Sequence, residues 1–202
     1  MTTKPKIILA AWLAGLCLVS SAGNLPAAVS QWEPEIRAFE NRDRTNPPPQ
    51  DAVLFLGSSS IRKWSALAKD FPGVRVINRG FGGSEIHDST EFAGRIVFPY
   101  HPRIIVFYAG DNDLAAGKSP DQVVAEYTNF IATIHAQLPA TRIVFLSIKA
   151  SWLSYVDIYS LMLGADGKPR KDLFLKDGLH PNEKAYRLWA AKIRPLLNAG
   201  EK

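Results

Sequence analysis

Residues 52–56 are apolar without a break, the pattern of a strand buried on both faces; a half-exposed strand would alternate. Unbroken runs at 104–108 and 143–146, and Val74-Arg75-Val76-Ile77 with one charge in it, predict three more strands, and a strand-like segment follows at 155–158. Between them the period lengthens. Trp32, Ile36 and Phe39 recur at helical spacing within 31–43, and Asn46-Pro47-Pro48-Pro49 ends that helix before the first strand. A Gly-rich turn after the second strand leads into a helical stretch from about 84 to 97. The clearest helix start has Ser119 as N-cap, Pro120 at the first helical position and Gln122 closing a capping box. Val123, Tyr127, Ile131, Ile134 and Leu138 then form one apolar stripe. Ala185, Leu188, Trp189 and Ile193 mark a closing amphipathic helix that Pro195 bends or ends.

Strands alternating with helices build βαβ units, so the fold class expected is α/β: a mostly parallel central sheet with helices on both faces. One crossover is missing from the pattern. The fourth strand extends to about Lys149 and the next strand-like segment follows at once, whereas parallel neighbours normally need a crossover of about a dozen residues, usually a helix. The expectation is that the last segment pairs antiparallel, or that a fifth strand is lost and one flank of the sheet is bare.

Composition changes this picture mainly at the N-terminus. The 202 residues are 47% hydrophobic and 21% charged, which suits one globular domain. Lys4 and Lys6 precede an uncharged run over 7–19 and then Ser20-Ser21-Ala22, the layout of a secretory signal peptide cut after Ala22, or secondarily after Ala28. The run is too short for a membrane span, which needs roughly 20 apolar residues. The expected organisation is a leader over 1–22, a helix and Pro-rich linker over 23–50, and the main α/β domain over 51–202. The destination is export, to the periplasm or outside the cell.

The single cysteine, Cys17, falls in the leader, so the mature chain would hold no disulfide, catalytic thiol or cysteine-bound zinc. Removing the leader takes away two lysines and no acids, so the net charge falls from +5 to +3. Without a long basic run or interleaved aromatics, nucleic acid is excluded as a partner class.

In an open parallel sheet, ligands bind beyond the carboxyl ends of the strands, so the segments after the strands are site candidates. These are Gly57-Ser58-Ser59-Ser60, then Asn78-Arg79-Gly80-Phe81-Gly82-Gly83-Ser84, then Gly110-Asp111-Asn112-Asp113, with Asp177-Gly178-Leu179-His180 before the last helix. Together they hold what acyl transfer needs. A serine needs a base to take its proton, and Asp177, three residues before His180, can orient that base. The Ser59 and Gly83 N–H groups and the Asn112 amide can hold an oxyanion. Gly80-x-Gly82-Gly83 lacks the full dinucleotide spacing, and the Gly-x-Ser-x-Gly elbow is absent around Ser59. His87, His101 and His135 are scattered and suggest no metal site. Trp64, Phe81 and Trp152 are candidates for lining an acyl pocket or for ordinary core.

These four segments resemble, in order, the signature blocks of the SGNH/GDSL hydrolase superfamily: the Gly-Asp-Ser block at 55–59, the glycine block at 78–84, Gly-x-Asn-Asp at 110–113 and Asp-x-x-His at 177–180. The usual Asp of the first block is Ser58, which leaves three adjacent serines, and the resemblance alone selects Ser59. It implies a flavodoxin-like three-layer α/β/α sandwich, no cofactor, no metal, and hydrolysis of acyl esters or thioesters through an acyl-serine. The catalytic set so implied is Ser59, Asp177 and His180, with Ser59, Gly83 and Asn112 around the oxyanion. The sequence offers no long apolar lid, which favours small or sugar-linked acyl groups over lysophospholipids. Rivals are an acyltransferase using the same triad and a non-catalytic glycan-binding envelope protein.

Overall fold

The computed structural model describes residues 30–146 and 154–198; the leader, with Cys17, and Trp152 lie outside them. Five strands make one parallel sheet: β1 (Val53–Gly57), β2 (Val76–Gly80), β3 (Ile104–Tyr108), β4 (Arg142–Leu146) and β5 (Ser154–Val156), in the order β2-β1-β3-β4-β5. Side chains alternate across each strand. Leu54, Leu56, Ile105, Phe107, Ile143 and Phe145 enter one core, and Val53, Phe55, Ile104, Val106, Val144 and Leu146 enter the other. Both faces are therefore covered, which is why β1, β3 and most of β4 read as unbroken apolar runs.

The first core is closed by α1 (Glu33–Thr45), α4 (Ile86–Glu91), α5 (Ala93–Ile96) and α7 (Pro120–Gln137). The second is closed by α2 (Ser59–Arg62), α3 (Leu67–Asp70) and α8 (Glu183–Asn198). A short α6 (Asp111–Ala115) follows β3. The capping box at Ser119 forms as its sequence predicts, with the Ser119 hydroxyl and the Gln122 side chain each accepting the other residue's N–H. α1 carries Ile36 and Phe39 into the first core, and α8 runs through Pro195.

Three expectations are revised. β2 lies later than 74–77, because Asn78, Arg79 and Gly80 keep pairing with Phe55, Leu56 and Gly57. The helical stretch expected over 84–97 is two helices that meet at Phe92. β5 is present and parallel to β4, so the segment neither pairs antiparallel nor leaves the flank bare. The reason lies in register: β5 begins opposite Val144, so the chain leaving Leu146 has only two strand positions to recover. At about 3.3 Å per residue that is within reach of seven extended residues. The connection itself, 147–153, lies outside the described residues.

Candidate active site

Consecutive strands leave β1 in opposite directions, to β2 on one side and to β3 on the other, so the crevice of this sheet opens at the carboxyl end of β1. There the backbone turns sharply. Gly57 has φ +138°, and a Cβ at this position would fall on the Tyr108 carbonyl of β3, so only glycine can end β1 this way. The Ser58 N–H then donates to the Tyr108 carbonyl (3.2 Å), and Ser59 becomes the first residue of α2. Ser58 and Ser60 are 3% and 8% exposed, while Ser59 reaches the imidazole: His180 Nε2 lies 3.1 Å from its Oγ. The geometry thus separates three serines that are equivalent in sequence.

His180 and Asp177 belong to a closed hairpin. The Leu175 N–H donates to the His180 carbonyl (2.7 Å), and Phe174 pairs with Pro181. Asp177 Oδ1 accepts the N–H groups of both Leu179 and His180 at 3.0 Å, leaving Oδ2 2.7 Å from His180 Nδ1. Those backbone donors, His180's first, and then the imidazole hold the Asp177 carboxyl well below the usual carboxylate range. An ionised Asp177 draws the imidazole proton to Nδ1, so Nε2 is the acceptor for the Ser59 hydroxyl. Lys63, one helical turn after Ser59, brings its ammonium 3.7 Å from Asp177 Oδ2.

The glycine-rich loop is tied down from three sides. Asn78 donates to the Ile61 carbonyl (2.7 Å) and accepts the Gly80 N–H (2.9 Å), joining the loop to α2. Glu35 of α1 accepts the Gly82 N–H (3.0 Å) and pairs with Arg62 of α2 (2.5 Å). Gly83, at φ +78°, packs under Trp32, whose ring would stand 3.3 Å from an added Cβ. Asn112 Nδ2 donates to the Ser84 carbonyl (2.8 Å), which holds its amide against the same loop.

A cavity of about 340 Å³ opens over Ser59. Ser59, Asn112 and His180 line it; Gly83 lies on the adjoining loop and does not. Its apolar wall includes Ile158, Met162, Leu163, Phe174 and Trp189. Trp64 and Phe81 are core residues instead: Trp64 stacks on Tyr186, and Phe81 meets Trp32 edge-on. Asp113 is fully buried, accepting the Ile86 N–H and pairing with Lys118, so it serves the fold. Asp111 differs. It faces the cavity, accepts the Tyr108 hydroxyl at Oδ2 (2.5 Å), and has its pKa raised, chiefly by burial.

Sequence reasoning passed over Tyr108, Lys63, Glu35 and the apolar wall. Lys63 had a local signal, since it follows Ser59 by four residues and must share its helical face. Most of the wall had none, since Ile158, Met162, Leu163 and Phe174 follow no periodic pattern; Trp189 was legible only as part of the amphipathic stripe of the last helix.

The sequence profile of the GDSL-like Lipase/Acylhydrolase family matches residues 43–154. No curated protein sequence matches the chain. Among solved structures, it is similar to a GDSL-like lipase from Bacteroides thetaiotaomicron (17% identity, TM-score 0.67, covering 80% of this chain and 96% of that one). It is also similar to a catalytic mutant of an acetylxylan esterase from Geobacillus stearothermophilus (13%, 0.57, 73% and 94%). A third likeness is to a carbohydrate esterase family 3 protein from Talaromyces cellulolyticus (20%, 0.55, 72% and 95%). At these identities the likenesses speak for the fold.

Proposed function

The chain belongs to the GDSL-like lipase/acylhydrolase family, and from that premise we propose that it is an exported serine esterase cleaving small or sugar-linked acyl esters through an acyl-serine intermediate. The observation that carries this reading is the continuous relay from Asp177 through His180 to Ser59, at 2.7 and 3.1 Å, opening on the cavity.

Ser59 Oγ attacks the ester carbonyl as His180 Nε2 takes its proton, and Asp177 stabilises the imidazolium. The negative charge that develops on the carbonyl oxygen meets three donors. The Ser59 N–H, at the start of α2, has no acceptor within the helix, and the Asn112 amide has a second N–H beyond the one spent on Ser84; the third donor of the proposed set is the Gly83 N–H, carried by the adjoining glycine loop that Asn112 binds at Ser84. The imidazolium returns its proton to the leaving alcohol. Water, deprotonated by the same histidine, then releases the acid and restores Ser59.

The cavity, at about 340 Å³, is near the small end of ligand pockets, which supports a short acyl group. The fold neighbours that are an acetylxylan esterase and a carbohydrate esterase support the sugar-linked form. Export rests on the leader pattern of residues 1–22, and among the described residues no helix is long and apolar enough to cross a membrane.

The test is p-nitrophenyl acetate hydrolysis by the protein from Gly23 onward, beside Ser59→Ala, both checked for folding by circular dichroism. We expect turnover that falls at least 10³-fold in Ser59→Ala, the order seen when a triad nucleophile is removed. A folded wild-type protein inert to this ester and to a serine-directed phosphonate would overturn the reading. Faster turnover of p-nitrophenyl laurate than of acetate would overturn the short-chain preference alone.

A further inference from the structure

The polar side chains of the proposed relay and of Asn112 are accounted for. His180 is held between Asp177 and Ser59, and Asn112 divides its amide between Ser84 and the oxyanion. Asp111 lines the same cavity and is only half engaged. Tyr108 fixes its Oδ2, and the Tyr108 ring is itself fixed against Trp189, with centroids 5.4 Å apart. Oδ1 has no partner among the described residues, yet the side chain faces the cavity. It stands next to Asn112 in the chain, and an oxyanion developing nearby would be repelled by it. The side chain is exposed where it lines the cavity, so a ligand hydroxyl can reach Oδ1. A bound hydroxyl that donates to Oδ1 disperses the carboxylate's charge away from the oxyanion.

Building on the esterase reading above, we propose that Asp111 is a specificity-determining residue: it accepts a hydrogen bond from a free hydroxyl that the substrate carries beside the scissile ester, as a partly acylated sugar does. Tyr108 is its positioning residue. The substrates so selected are mono- or partially acylated polyols, and esters of alcohols without a neighbouring donor are discriminated against.

A matched pair of substrates tests this: a mono-O-acetylated methyl xyloside and the same monoacetate with its remaining hydroxyls O-methylated. Wild-type kcat/KM should favour the free-hydroxyl ester by at least about tenfold, the order expected of one hydrogen bond to a charged group. That ratio should shrink in the isosteric Asp111→Asn and approach one in Asp111→Leu, with Tyr108→Phe in between. A ratio unchanged across the variants, or a wild type that does not discriminate, overturns the inference while leaving the esterase intact. Turnover of neither ester, nor of p-nitrophenyl acetate, brings down the esterase reading and this inference with it. Acetylcholine, a cation with no hydroxyl donor, separates the causes. If it is the substrate that loses most in Asp111→Asn, the carboxylate acts by charge alone and the hydrogen-bond assignment is wrong.

Discussion

Two carboxylates near Ser59 are driven in opposite directions by their surroundings. Asp177 sits among backbone N–H donors and stays ionised far into acid. Asp111 has one hydroxyl for company and a raised pKa. For Asp111 the sign of the linkage is fixed: a folded-state pKa above the unfolded one means that the native state binds the proton more tightly. Stability contributed by this group is therefore full below its ordinary pKa of 3.8 and declines as pH rises through the raised value. Asp111→Asn should accordingly melt above wild type at pH 7, with the gap closing near pH 3.5. A variant that melts below wild type at pH 7 would show that the Tyr108 bond outweighs the desolvation cost. The selectivity proposed for this side chain is thus held at the expense of stability, as functional polar groups often are.

Among the elements, α1 reaches furthest from its place in the chain. Its Glu35 joins Gly82 of the glycine-rich loop to Arg62 of the helix that Ser59 begins. Glu35→Ala should lower kcat by about tenfold with KM little changed, because a loosened loop weakens interactions made mainly in the transition state. An equal rise in KM with constant kcat would mean that α1 only shapes the cavity. This contact was not legible in the sequence. Glu35 and Gly82 are 47 positions apart, and an exposed-looking glutamate on an amphipathic helix carries no mark of its target. What could be read was local. The Ser119 capping box, the buried strand runs and the Asp-x-x-His spacing each depend on residues within a turn or a strand of one another. The second strand was misplaced for a related reason: Asn78-Arg79-Gly80 looks like loop, and only pairing with β1 makes it strand. The segment of β5 was legible as strand-like but its parallel pairing was not, because the crossover rule assumes full-length strands, and a strand of three residues needs little return path.

For the molecule as a whole, the reversal of direction at β1 gathers Ser59, Asn112 and the glycine loop at one crevice. The family profile begins at residue 43, yet α1 lies almost wholly before it and is part of the same core. Arg95 of α5 binds α1 through Glu33 and Glu40, each at 2.7 Å. A chain begun at Pro47 loses Ile36 and Phe39 from the interior, and it should be less stable by about 5 kcal/mol or more in urea titration. A truncated chain of undiminished stability would show that α1 is dispensable to the core. The hairpin over 174–181 has a different consequence. Because Asp177 and His180 are bound to each other and to their own backbone, the two side chains form one unit. Among the described residues, the imidazole–hydroxyl bond and the Lys63 contact tie that unit to α2 and its first residue. On the esterase reading, undocking the unit would separate the base from the Ser59 hydroxyl while leaving the carboxylate–imidazole couple whole, so the base would be set aside intact rather than dismantled.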